Sequence, residues 1–202
     1  RPEIIRLAPT LKKLDQFTDH VLVHTGQNYD YELNEVFFED LALRRPDYFL
    51  EADVSSLGAT LGSIITRTEE IIRKEQPDAF LVLGDTNSAI SAVIAKRMKV
   101  PVYHMEAGNR AFDQNVPEET NRRMIDHIAD YNMVYTEHAR RNLLAEGLHP
   151  SRIMLTGSPM KEVLDGNREQ IEAANVEWDD YFLVSLHREE NVDNPERLQS
   201  AL

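Results

Sequence analysis

The chain of 202 residues contains no cysteine. That excludes a disulfide framework and any thiolate metal site, and it fits a reducing compartment. No apolar run approaches the roughly 20 residues that span a bilayer, and no signal-peptide pattern is visible. The expected location is the cytoplasm, with no membrane partner. Basic residues are outnumbered, with 22 Lys and Arg against 35 Asp and Glu and a formal net charge of −13. A nucleic-acid partner is therefore not expected. A local basic pocket for phosphate stays compatible with this total, because steering depends on the local field. Neither GxGxxG nor a Walker pattern occurs, so no glycine-rich phosphate loop is present. HExxH and related metal patterns are also missing, and no metal or other cofactor is expected.

What is there reads as an ordinary globular chain, 42% hydrophobic and 28% charged. Residues 1–15 form one apolar stripe through Ile4, Leu7, Ala8, Leu11 and Leu14, with Pro2 suited to a first turn. Pro9 predicts a kink in that helix. The chain opens at Arg1 without Met, already in a helical pattern, so an upstream segment is expected. Strands are predicted at 20–26, 79–85, 100–106, 132–136, 152–157 and 181–187. Helical spacing falls between them at 57–74, around Ile90 to Met98, from Pro117, at 137–147, from about Pro159, and from Asn194. "AFLVLGD" is continuously apolar, as a strand buried on both faces would be. Alternating strand and helix argues an α/β fold with a parallel sheet and helices on both faces. The polar stretch 165–180 reads as a linker, so the expected domains are 1–168 and the entry to a second at 169–202.

Ligands of open parallel sheets bind beyond the carboxyl ends of the strands. Three predicted ends carry ionisable groups: Asp85 after "VLG", Glu106 after "YHM" and His187 after "SL". For Asp85 and Glu106 two readings stand, a helix cap or an acid–base group. No helical pattern starts directly after Glu106, which weakens the cap there. The helix from Pro117 has a structural reading of its own. Glu118 and Glu119 favour its N-terminal dipole, and Glu118–Arg122 and Glu119–Arg123 are i,i+4 pairs. That reading leaves open why an acid-rich helix end is tied to Glu106 by one short loop.

Six motifs occur in order: "RPEIIRLAPTL", "HTGQNYD", "LVLGDTNSA", "HMEAGNRAFDQNVPEETNRRMIDHIAD", "TGSPMKEVL" and "HREEN". Together they resemble the non-hydrolysing UDP-N-acetylglucosamine 2-epimerase family over nearly the whole chain. The resemblance implies two Rossmann-like domains in the GT-B arrangement, of which this chain carries the first, short of its first strand, and the start of the second. It implies a UDP-sugar substrate, a homodimer when full length, and inversion at C2 by loss of a proton and of UDP followed by re-addition. By motif match Asp85, Glu106, Glu118 and His187 are the implied catalytic groups. Arg1, Arg6, Arg110 and Arg122 are the implied substrate cations, with Arg6 standing where many members have Lys. The loop with Asn109, Phe112 and Val116 departs from the common pattern. It looks more like the branch that acts on UDP-2-acetamido-2,6-dideoxy-L-talose on the way to L-fucosamine in capsule and O-antigen pathways. The competing readings are a hydrolysing 2-epimerase, a GT-B glycosyltransferase and a non-enzymatic UDP-sugar-binding regulatory module.

Overall fold

The computed structural model describes residues 2–26, 31–174, 180–184 and 194–201. Contacts within the chain divide it into two units, Arg1–Gly166 and Asn167–Leu202. In the first, α1 (Pro2–Phe17) leads to β1 (Val23–His24), α2 (Tyr31–Asp40), β2 (Tyr48–Phe49), α3 (Leu57–Glu75) and β3 (Phe80–Leu83). A 3₁₀ turn (Asn87–Ile90) opens into α4 (Ser91–Arg97), then come β4 (Val102–Met105), α5 (Pro117–Ile128), β5 (Tyr131–Val134), α6 (Glu137–Ala145), β6 (Ile153–Leu155) and α7 (Met160–Gly166). The second unit contains α8 (Arg168–Ala173) and α9 (Pro195–Ala201).

All strand pairings are parallel, and the class is α/β with helices on both faces. Strands β3, β4, β5 and β6 lie side by side in chain order, while β1 and β2 make a separate two-stranded sheet. The single sheet expected from the sequence is thus divided among the described residues. β1 reaches the β3 region by a side-chain contact, Thr25 Oγ1 to Ser88 Oγ at 2.7 Å. The expected strand at 181–187 is corrected over 181–184, which form no strand and expose Phe182 almost completely (99%). A strand exists only through a ladder to a neighbour, and none is recorded for these residues. α2 and β2 are additions that periodicity did not predict. α1 runs on through Pro9 to Phe17 as one helix, so the proline costs a hydrogen bond without ending the element.

Local chemistry accounts for the boundaries. Ser56 caps α3 by accepting from the Ala59 amide, and Thr60, Ile64, Thr68 and Ile72 turn one buried face inward at four-residue spacing. β5 stops at Val134 because Thr136 is needed as the cap of α6, where its hydroxyl accepts from the Ala139 amide. The core is built in two clusters. One joins Ile72, Val82, Ala92, Val102 and Ile125. The other gathers Ala107, Val134, Ala139, Leu143 and Ile153. Full burial of residues such as Ile64, Ile125 and Leu143 contributes about 1.5–3 kcal/mol each.

Register aligns the carboxyl ends that matter. Leu83 pairs with Met105, and Met105 with Met133. The ladders run one step further through the Gly84 amide to the Met105 carbonyl (3.0 Å) and the Ala107 amide to the Met133 carbonyl (3.3 Å). Gly84–Asp85, Glu106 and Tyr135 therefore emerge together on one edge. Past Glu106 the chain dives against α6. A Cβ on Gly108 would lie 2.4 Å from the Ala139 carbonyl oxygen, and its φ is +80°. Gly108→Ala is expected to destabilise by at least about 1–3 kcal/mol, since both the clash and the left-handed backbone oppose it. Gly62, exposed inside α3 with nothing within 4 Å of its would-be Cβ, gives the opposite case. Gly62→Ala should stabilise by about 0.5–1 kcal/mol. Denaturant unfolding of the two variants checks both signs.

Candidate active site

At the end of β3, Asp85 is not a helix cap. The following turn is capped from Thr86 without a side-chain hydrogen bond. The Asp85 carboxylate instead receives Arg122 from α5, Nη2 to Oδ2 at 2.6 Å. Asn121 fixes the same residue by donating Nδ2 to the Asp85 carbonyl at 2.9 Å. At the end of β4, Glu106 sits in the left-handed region with φ +64°. That conformation is uncommon for a residue with a Cβ, and such strain tends to collect at functional sites. Its carboxylate is held by Arg6 of α1 and approached by Asn109 Nδ2 at 3.4 Å. Both carboxylates remain partly open, with side chains 27% and 20% exposed.

Glu106 is pushed above the ordinary carboxylate range, chiefly by burial. Arg6 opposes the shift, while Asp85 and Glu3 repel the charged form and reinforce it. Two acids and two arginines thus meet at adjacent strand ends, and burial raises the pKa of one of the acids.

The loop that carries Glu106 is anchored by a buried ion network. Asp126 of α5 accepts Arg110 Nη1 at 2.7 Å, the Gly108 amide at 3.2 Å and a hydrogen shared with His104 Nδ1 at 2.9 Å. His104 Nε2 donates to the Gly84 carbonyl at 2.8 Å, so the same ring braces both strand ends. Arg110 also reaches Glu146 through Nε and Nη2 at 2.7 and 2.6 Å. These bonds pull Glu146 from its usual 4.5 down to about 2, with Arg110 the largest cause. Glu119, wholly buried, accepts the Ala111 amide at 2.9 Å, Arg123 at 2.9 Å and Arg122 at 3.3 Å. Its carboxyl is held below the usual range despite its burial, through these donors.

Several expectations change at this point. The Arg110 side chain, expected on the substrate, is wholly buried and pairs with Asp126 and Glu146. Of the two i,i+4 pairs read on α5, Glu119–Arg123 forms, but Arg122 turns to Asp85 and Glu119, leaving Glu118 exposed in the first turn. Arg1 and His187 lie outside the described residues. Among those described, no group of three or more His, Asp or Glu is arranged to hold a metal ion, and no helix is long and apolar enough to cross a membrane. A depression lined by His127, Glu146, Leu148 and Arg152 lies at the amino end of β6, where neither Asp85 nor Glu106 lines it. Sequence reasoning passed over Glu119, Asp126 and Glu146 as anchors. The available signal was three arginines within 14 residues of one another, each needing a buried anion if any of them folded inward.

Comparison with known proteins supplies the family. The sequence model described as UDP-N-acetylglucosamine 2-epimerase matches residues 11–202. The chain belongs to this family. It is 39% identical to the UDP-N-acetylglucosamine 2-epimerase of Methanocaldococcus jannaschii over 99% of its own length and 58% of the relative's. It is 35% identical to the UDP-2,3-diacetamido-2,3-dideoxy-D-glucuronate 2-epimerase of Pseudomonas aeruginosa, with 99% and 58% covered. The M. jannaschii enzyme solved with UDP-GlcNAc and UDP superposes with a TM-score of 0.91 at 39% identity, covering 100% of this chain and 58% of that one. The epimerase structure from Rickettsia bellii gives 0.82 at 52% identity, covering 87% and 47%. The chain therefore spans little more than half the length of these family members.

Removing one partner from a buried ion pair strands the other charge. Arg110→Ala should cost about 3–5 kcal/mol of stability on that ground. For Glu146 the folded value lies below the unfolded one, so its contribution is present above about 4.5 and is lost as pH falls toward about 2. Glu146→Gln should be less stable at neutral pH and should lose less of its remaining stability across that acidic window. Denaturant unfolding at several pH values reads both effects.

Proposed function

We propose that the protein containing this chain epimerises C2 of a UDP-2-acetamido sugar by eliminating and re-adding UDP. The observation that carries the reading is the strand-end pair Asp85 and Glu106, each held by an arginine, with Glu106 kept basic by burial. Inversion needs a base on one face of the ring and an acid on the other. In the first half-reaction a carboxylate takes the C2 proton, the C1–O bond breaks, UDP leaves with the electron pair, and a C1–C2 double bond forms. In the second, UDP returns to C1 and a proton is delivered to the opposite face of C2.

Arg6 and Arg122 are the cations proposed to meet the diphosphate, with Arg1. A diphosphate drawing Arg6 away would raise Glu106 further, because Arg6 is what now opposes its shift. Glu118, exposed at the start of α5, is proposed as the third carboxylate, and His187 as the group from the second domain. Arg110 takes a positioning role through the loop. Residues 1–168 are proposed as the first domain of a GT-B pair and 169–202 as the entry to the second. A cytoplasmic homodimer without bound cofactor completes the reading. A 6-deoxy sugar is favoured by Phe112, which is apolar and 69% exposed on the loop between Glu106 and Glu118.

Proton NMR of the full-length protein with UDP-GlcNAc in D2O tests the reaction, and deuterium at C2 of both epimers is the expected result. UDP release with free N-acetylmannosamine would favour the hydrolysing alternative, and binding without exchange the regulatory module. Asp85→Asn, Glu106→Gln and Glu118→Gln should each lower kcat by about 10²–10⁴-fold at unchanged melting temperature. If Glu106 acts as the base, activity rises with pH through a value above the ordinary carboxylate range. That limb disappears from the residual rate of Glu106→Gln. In direct competition the 6-deoxy talose compound should outrun UDP-GlcNAc, by no more than about 10²-fold for one hydroxyl in an apolar pocket.

A further inference from the structure

Among the described residues, three buried side-chain polar atoms have no hydrogen-bond partner: Arg122 Nε, Asn132 Oδ1 and Tyr135 Oη. Two of these groups belong to the carboxylate edge. Arg122 already pairs with Asp85. Tyr135 follows β5 directly, one step past the level of Glu106, since Met133 is in register with Met105. Burial first, and then the neighbouring Glu106, push its hydroxyl up to about 12, while Arg6 opposes the shift. Burying a hydroxyl without a partner forfeits its hydration for no return. Folded proteins seldom accept that except where a ligand supplies the missing partner.

We infer that Tyr135 is a substrate-binding residue whose hydroxyl donates a hydrogen bond to an oxygen of the bound nucleotide sugar beside Glu106. The inference rests on the epimerase reading for the identity of that ligand. A phenol suits the position. It stays neutral at working pH, so it can donate beside Glu106 without adding charge to an edge that already holds Arg6. It also explains the side chain's placement without invoking the fold. Packing alone would be satisfied by Phe, and among the described residues the oxygen makes no hydrogen bond.

The test is Tyr135→Phe in the full-length protein, with UDP-GlcNAc as the probe and Glu106→Gln measured beside it. The expected result is a ligand-free melting temperature unchanged or slightly raised, with kcat/KM lowered about tenfold, the worth of one hydrogen bond at the upper end of the usual range. A kcat/KM within twofold of wild type overturns the inference. So does a fall in ligand-free melting temperature with catalysis intact, which would make the hydroxyl a structural group. Should wild type show no C2 exchange with UDP-GlcNAc, the epimerase reading falls and Tyr135 is decided by binding alone. Stabilisation by UDP-GlcNAc that is smaller in Tyr135→Phe than in wild type then supports the contact, and equal stabilisation overturns it.

Discussion

The structure depends on Asp126. This buried carboxylate on α5 gathers Arg110, the Gly108 amide and His104, and through them it fixes the path of the chain after β4. Without it the segment from Glu106 to Val116 would have no reason to enter the space between α5 and α6. Arg110 could not be buried there, and Gly108 would not press on the Ala139 carbonyl. His104 carries the constraint across to β3 by donating to the Gly84 carbonyl. One anion thus sets the position of both strand ends from which Asp85 and Glu106 project. Burying so many charges is not an economical route to stability, since well-packed apolar groups often do as well. What the ions add is geometry. A guanidinium shared between Asp126 and Glu146 admits few alternatives, and a loop held that way delivers its carboxylate to a defined place.

How much of this was legible in the sequence follows from the range of each interaction. Alternating apolar runs and helical stripes gave the order of β3 to β6 with their crossovers, because those signals lie within a dozen residues. α2 and β2 escaped because they carry neither a long stripe nor a continuous apolar run, and β2 is two residues long. The strand read at 181–187 shows the converse. Apolar content makes a segment eligible for a sheet, but a ladder partner makes it a strand.

The candidate site divides along the same line. Asp85 and Glu106 were legible because strand ends in α/β sheets are where chemistry collects. The partners they chose were not. Arg122 lies four residues beyond Glu118, so local spacing paired them, yet α5 turns Arg122 to Asp85 across 37 positions of sequence. Arg110 was read as a substrate cation through the family resemblance, and its partner Glu146 is 36 residues away, beyond the reach of local spacing. Tyr135 gave no signal at all. An aromatic at the end of an apolar strand is ordinary, and what sets it apart is that its oxygen has no partner among the described residues.

Placing two acids on neighbouring strand ends serves chemistry only if their surroundings differ. Here they do. Asp85 is drawn into the α5 network through Arg122, whose other nitrogen binds Glu119, so its charge is one link in a chain of fixed ions. Glu106 stands outside that chain. It is held by Arg6, a residue on α1 whose recorded ion pair is this one, and burial works against its charge. The first carboxylate is locked by a rigid partner. The second is balanced between a desolvating site and a single long side chain that an incoming anion could compete for. That asymmetry bears on the proposed proton transfer, because of the two carboxylates it is Glu106 whose basicity would change if an anionic ligand drew Arg6 away.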